Sequence, residues 1–172
     1  MILIKGKKLR TSDKKLIREF AKFALSKFVS DTTLRESRIT IKFVRARDLR
    51  GQDRVEIKRY KAWMHHNGGK NFVVTVSDKM IASYALTQLT RLKQAIHCVG
   101  HELVHVKQYL KGEIKDYANG DAGYKGQRYK DWENDENYYF SGWEIEAYGL
   151  EEGLYQLFKA KLIESRKKHE SN

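Results

Sequence analysis

Residues 92–110 read Leu-Lys-Gln-Ala-Ile-His-Cys-Val-Gly-His-Glu-Leu-Val-His-Val-Lys-Gln-Tyr-Leu. Leu92, Ile96, Val99, Leu103, Val106 and Leu110 recur three and four apart, which predicts a helix with one apolar stripe. No proline and a single glycine, Gly100, fall between Ile81 and Leu110, so the pattern is long. Inside it His101, Glu102, Leu103, Val104 and His105 spell HExxH. Residues four apart stand one turn above each other, so two imidazoles at that spacing can grip one metal ion. At 3.6 residues per turn they point roughly 160° away from the apolar stripe. One face is therefore built for a core and the other presents His101 and His105 to a cleft. Glu102 lies beside the ion without binding it, where a carboxylate can take a proton from a metal-activated water. A chance match on a solvated helix is expected in well under about one per cent of chains with this few histidines.

Two neighbours invite other readings. His97 precedes His101 by one turn, but three histidines on one straight helix cannot surround an ion tetrahedrally, so it is expected to act beside the site or face solvent. Cys98 is the single cysteine, which excludes an internal disulfide and a CxxC zinc ribbon and leaves a buried spectator.

A catalytic zinc takes three protein ligands and keeps one position for water, so another segment must supply a residue. The candidate is Trp-Glu-Ile-Glu-Ala-Tyr, residues 143–148, which opens a second helical pattern with Trp143, Ala147, Leu150, Leu154, Leu157 and Phe158 as its core stripe, running on toward Leu162. Glu144 and Glu146 flank that stripe on opposite sides by similar angles, and helical geometry does not choose between them. An acidic first turn that favours the helix dipole would by itself account for both.

HELVH in a long helix, an aromatic-rich spacer with YKGQRY at residues 124–129, and WEIEAYG from Trp143 together resemble the SprT-like and phage-type zinc metallopeptidases of the wider gluzincin group. The resemblance covers residues 70–155 with specific motifs. It implies one zinc ion, HExxH with a downstream glutamate ligand, and hydrolysis of peptide bonds in a protein or peptide substrate. In related gluzincins the ligand heads a Glu-x-x-Ala pattern, which maps onto Glu144 and Ala147 and favours Glu144, with Glu146 as the alternative. The chain departs from SprT proteins proper, which carry a third histidine and often a cysteine ribbon. Tyr148 also stands where many gluzincins place an aspartate that orients a zinc histidine.

Working outward, 172 residues with 41% hydrophobic content and no low-complexity stretch fit one domain, with a basic part over 1–70 and the catalytic motifs over 71–172. The opening MILIKGKK is too short for a signal-peptide core or a membrane span. With the lone cysteine it points to a cytoplasmic protein with no membrane contact. A helix is predicted from Ser12 to Ser30, with Ser12 and Asp13 as caps and Leu16, Phe20, Phe23, Ala24 and Phe28 on one face. Strands are predicted over Arg38–Ala46, Val55–Met64 and Asn71–Val76, the last two joined at Asn67-Gly68-Gly69, with His65 and His66 as turn residues. The expected fold is α+β and zincin-like: an N-terminal helix, a small three-stranded antiparallel or mixed sheet, the HExxH helix, an aromatic loop or hairpin, and a C-terminal helix carrying the third ligand. Phe72–Val76 is expected to offer an edge to an extended substrate. The glycine- and tyrosine-rich residues 112–142, including Tyr117, Tyr124, Tyr129, Trp132, Tyr138 and Tyr139, are expected to wall the cleft, with a hairpin at Tyr124–Tyr129. A tyrosine there, or Tyr148, would donate a hydrogen bond to an oxyanion.

Charge is divided unevenly. Residues 1–70 hold 20 Lys and Arg against 7 Asp and Glu, and residues 71–172 hold 14 against 15. The basic half is a candidate for non-specific nucleic-acid contact, or for docking an acidic host protein, which gives a second reading: a zinc protein that binds such a partner without proteolysis.

Overall fold

Arg38–Val44 alternates exposed and buried side chains as its sequence demands, with Ile39, Ile41 and Phe43 turned inward. The computed structural model describes residues 1–7, 9–45, 48–49, 61–78, 88–130, 132 and 134–170. Among these it is mixed α+β. In chain order the elements are β1 (Ile2–Lys5), α1 (Thr11–Ser26), α2 (Asp31–Glu36), β2 (Arg38–Val44), β3 (Ala62–His66), β4 (Asn71–Ser77), α3 (Gln88–Leu110), β5 (Ile114–Asp116), β6 (Ala122–Tyr124), β7 (Gln127–Tyr129), α4 (Asp135–Tyr139) and α5 (Gly142–Glu170).

The main sheet has four strands in the order β1-β2-β4-β3, one more than expected. The additional strand is β1, whose Ile2 and Ile4 pair in parallel with Ile39 and Ile41 of β2. Four alternating residues ahead of a charged run are too short to read as a strand alone. β2 and β4 are also parallel, with Ile39 opposite Phe72, Ile41 opposite Val74 and Phe43 opposite Val76. β4 is therefore bonded on both sides and has no edge for a substrate, contrary to the expectation for Phe72–Val76. β3 occupies the end of the order, antiparallel to β4. The Asn67-Gly68-Gly69 turn joins them as expected, because both glycines take positive φ, 83° and 57°. His65 and His66 are the last residues of β3 rather than turn residues. The part of the predicted Val55–Met64 strand before residue 61, Ala46, and the part of the long helical pattern before Gln88 lie outside the described residues.

α1 ends at Ser26, not Ser30. Its last turn closes through Phe28 and Val29 amides on Leu25, and the Ser30 hydroxyl accepts from the Thr33 amide to cap α2. Ser12 and Asp13 lie within the first turn, where Asp13 pairs with Arg10 at 3.0 Å instead of capping. The face of α1 that disappears into the core is Ile17, Phe20, Ala21, Ala24 and Leu25, with Leu16, Phe23 and Phe28 at its margin. That face, the inward side of the sheet, and Val99, Leu103 and Val106 of α3 form one core with Ala147, Leu154 and Phe158 of α5. Leu157, expected in the α5 stripe, is 56% exposed.

Ile114, Ala122, Tyr124, Tyr129 and Trp132 gather with Trp143 into a second small core. β5, β6 and β7 make an antiparallel sheet, with the β6–β7 turn at Lys125 (φ 47°) and Gly126 (φ 87°). This places the hairpin where YKGQRY suggested it. Trp143 sits edge-on to Tyr129 and Trp132 at 4.9 and 6.0 Å between ring centroids. It thereby ties the start of α5 to this sheet. Gly142 is required at that junction, because a Cβ there would come within 2.6 Å of Tyr124 Cδ1. Gly100 on α3 lets the Phe20 ring of α1 sit close, because a Cβ there would be 3.3 Å from Phe20 Cζ. No described helix is long and apolar enough to cross a membrane.

Candidate metal centre

His101 and His105 lie one turn apart on α3, and Gly142 sets the first turn of α5 against the hairpin so that Glu144 reaches them. His101 Nε2 is 3.2 Å from Glu144 Oε2, His105 Nε2 is 3.1 Å from Glu144 Oε1, and the two Nε2 atoms are 3.3 Å apart. Metal–ligand bonds of about 2.0–2.2 Å set neighbouring ligand atoms of a tetrahedral ion about 3.3–3.5 Å apart. The two imidazole nitrogens are thus at the spacing of neighbouring ligands, and the Glu144 carboxylate sets one oxygen against each of them. All three residues are almost buried, and they form the group among the described residues that could hold a metal ion.

The protons in this cluster are assigned by its outer partners. Gln108 is fully buried and its Nε2 donates to Trp143 O at 2.9 Å and Glu146 Oε2 at 2.8 Å. Those two acceptors fix the amide, so its Oε1 is the atom that faces His105 Nδ1 at 2.8 Å. His105 Nδ1 therefore carries the hydrogen and Nε2 a lone pair. On His101, Nδ1 faces the Glu151 carboxylate at 3.1 Å and is likewise the donor. Two imidazole lone pairs and an anionic oxygen then converge with no hydrogen among them. Such an arrangement requires a cation, either a proton or a metal.

The ionisation of the group follows from the same field. Burial alone would lower the His101 imidazole, but hydrogen bonds to Glu144 and Glu151 and the charges of Glu102 and Glu144 outweigh it and raise His101 to about 10. Burial would raise Glu144, yet its bonds to His101 and His105 hold it down at about 2. Glu102 is 5% exposed, and burial pushes its carboxyl above the usual range against the opposing pull of the two histidines. It lines the cleft beside His101 and His105.

Glu146, two residues from Glu144, turns to another partner set. Its carboxylate accepts from Lys107 Nζ at 2.8 Å, Gln108 Nε2 at 2.8 Å and Lys125 Nζ at 3.1 Å. Burial would raise it, and these donors hold it down at about 2. Lys107, 4% exposed, also meets Glu113 at 2.6 Å, so a buried cation joins α3, the β5 end and α5. His97 stays outside the metal group, facing Glu152 at 3.3 Å and stacking near Tyr155. Cys98 lines the cleft half-buried, and burial with the nearby Glu102 charge pushes its thiol up to about 12. Tyr148 packs its ring edge against His101 at 4.6 Å.

Gln108, Glu151 and Lys107 carry roles that the sequence reading did not assign. Gln108 follows His105 by three and Glu151 follows Glu144 by seven, both spacings that return to the same helix face. Those offsets are the signal by which they could have been found. No family model, curated protein or solved structure matches the chain.

Proposed function

We propose that this protein is a zinc-dependent metallopeptidase with a zincin-like arrangement, in which His101, His105 and Glu144 hold the ion and Glu102 is the general base. The observation that carries this reading is the convergence of His101 Nε2, His105 Nε2 and the two oxygens of the Glu144 carboxylate at 3.1–3.3 Å, with the imidazole protons directed outward to Gln108 and Glu151. Two imidazoles and one carboxylate gathered at the wall of a cleft suit zinc in a catalytic site. Bound there, zinc would supply Lewis acidity toward a peptide carbonyl and bring a water toward ionisation at neutral pH.

The remaining chemistry belongs to the chain. Glu102 takes the proton of the attacking water on its carboxylate and delivers it to the nitrogen of the departing amine. Its burial supports the second half of that cycle, since a carboxyl raised by an apolar environment can hold the proton between the two transfers. Gln108 and Glu151 keep both imidazoles in the tautomer that leaves Nε2 unprotonated. The Tyr148 hydroxyl, raised to about 12 chiefly by burial, stays protonated at the mouth of the same cleft and is the candidate donor to a developing oxyanion.

The test is a comparison of zinc content and hydrolysis of a denatured protein substrate in three proteins. The parent should carry about one zinc per chain and cleave. Glu102→Gln should keep the zinc and lose turnover, and His101→Ala should lose both. Undiminished turnover in Glu102→Gln would remove the mechanism.

A further inference from the structure

The cleft has two arms that meet at the metal group, and their chemistry differs. One arm, about 550 Å³, contains His101, Glu102 and Glu144 and is walled by Lys61, Lys93, His97, Glu151 and Glu152. The other, about 270 Å³, contains His105, Glu102 and Glu144 and is walled by Trp63, Met64, Tyr109, Ile114, Trp132 and Trp143. The reacting position therefore lies between a charged trough and an aromatic pocket.

The polar atoms of the aromatic pocket are engaged by their own neighbours. Trp63 Nε1 donates to His65 Nε2 at 2.9 Å, the Tyr109 hydroxyl donates to Asp116 at 2.9 Å, and Trp132 Nε1 donates to Gly120 O at 2.9 Å. Gln108 Nε2 covers the Trp143 carbonyl. Asp116, His65 and Tyr138 also line the pocket, but most of its wall away from the metal group is carbon surface and ring faces, which reward an apolar side chain over one that must shed water. The size agrees, since a cavity of about 150 Å³ holds benzene. The pocket here takes one ring-sized side chain with room at its mouth.

We propose that this pocket selects a large apolar or aromatic side chain immediately beside the scissile bond, making the substrate a polypeptide cut at an aromatic or bulky aliphatic residue. The inference rests on the peptidase reading for the word scissile. The pocket itself is defined without it. Trp132, from the second core, and Met64, from β3, are the residues that set the preference, and both are half-buried.

The probe is an alanine-rich hexapeptide series in which one position at a time carries Phe or Gly. Each peptide is measured for cleavage by the zinc-loaded parent and for binding to zinc-loaded Glu102→Gln. Phe in one fixed position next to the cut should raise kcat/KM, and Phe against Gly should tighten binding to Glu102→Gln, each about 10- to 100-fold. Trp132→Ala should erase most of that ratio while leaving zinc content and the far-ultraviolet spectrum unchanged. Met64→Ala serves the same purpose should Trp132→Ala fail to fold. Cleavage without a positional preference for Phe overturns the pocket assignment and leaves the peptidase reading standing. Absent cleavage together with Phe-selective binding that Trp132→Ala or Met64→Ala erases overturns the peptidase reading and keeps the pocket. Equal binding of the Phe and Gly peptides overturns the pocket whatever the turnover.

Discussion

Glu144 and Glu146 stand two residues apart on one helix, and their carboxylates serve different buried partners: Glu144 meets His101 and His105, and Glu146 meets Lys107. A two-residue step turns an α-helix by about 200°, so one roll of α5 decides which acid faces the histidines. The roll is fixed from outside the pair, by the close seat of Gly142 on Tyr124 and by the buried Lys107 that holds Glu146.

The two glutamates should therefore fail differently. Glu144→Ala is expected to lose most zinc affinity, because two imidazoles and water make a poor site. Glu146→Ala is expected to keep the ligands but to destabilise the fold by roughly 1–3 kcal/mol, since Lys107 retains Glu113 while Gln108 and Lys107 each lose an acceptor. Zinc titration beside urea unfolding separates them. Equal zinc loss without any stability change in Glu146→Ala would contradict this division of roles.

Gln108 and Glu151 offer a sharper test of positioning. Gln108→Leu removes the acceptor for His105 Nδ1, and Glu151→Ala removes that for His101 Nδ1. Each should weaken zinc binding about 10- to 100-fold without removing a ligand. Glu151→Gln, which keeps an acceptor oxygen, should recover most of the loss. Affinities indistinguishable from the parent in both alanine and leucine variants would show that the imidazoles are oriented by packing alone.

The HExxH helix was legible because its chemistry and its core stripe share one period: Leu103 and Val106 are buried as their spacing requires, while His101 and His105 face the cleft. The β3–β4 hairpin was legible for a local reason, two glycines at positive φ. What escaped the sequence depends on contacts distant along the chain. β1 is recognisable as a strand only beside β2, and β4 is interior because β2 pairs with it in parallel across a long stretch of chain, which its own alternation does not announce. The resemblance favoured Glu144 over Glu146, but the physical reason lies in the roll of α5, which Tyr124 and Lys107 impose from other segments. Leu157 fits the apolar spacing of α5 yet stands about 100° round the helix from the buried Phe158, at the margin of the stripe, so periodicity alone overstates its burial.

Gly142→Ala probes that roll directly. Its Cβ would lie 2.6 and 2.7 Å from two ring atoms of the buried Tyr124, so the ring or the helix start must move. The cost is expected at about 1–3 kcal/mol in the metal-free protein. If α5 moves, Glu144 moves with it and zinc affinity falls as well. The informative comparison is the thermal midpoint with and without zinc: a stabilisation by zinc equal to the parent's would mean that Tyr124 alone yields and that the roll is held by Lys107.

The metal-free protein should also report the cation requirement through pH. His101 is raised from 6.5 to about 10 in the fold, so its protonated form contributes stability that is fully present below about pH 6.5 and is lost as pH climbs toward 10. Glu144 is lowered from 4.5 to about 2, so its contribution is present above about pH 4.5 and is lost as pH falls toward 2. For these two groups the metal-free protein is thus most stable between about pH 4.5 and 6.5. In the proposed site zinc takes the place of the His101 proton, so binding should release a proton below about pH 10 and apparent affinity should rise with pH up to that point. Thermal midpoints of metal-free and zinc-loaded protein from pH 5 to 9 provide the measurement. The metal-free midpoint should fall above about pH 6.5 while the gap to the zinc-loaded form widens. A gap that stays constant across this range would show that zinc and the His101 proton do not compete for the same place.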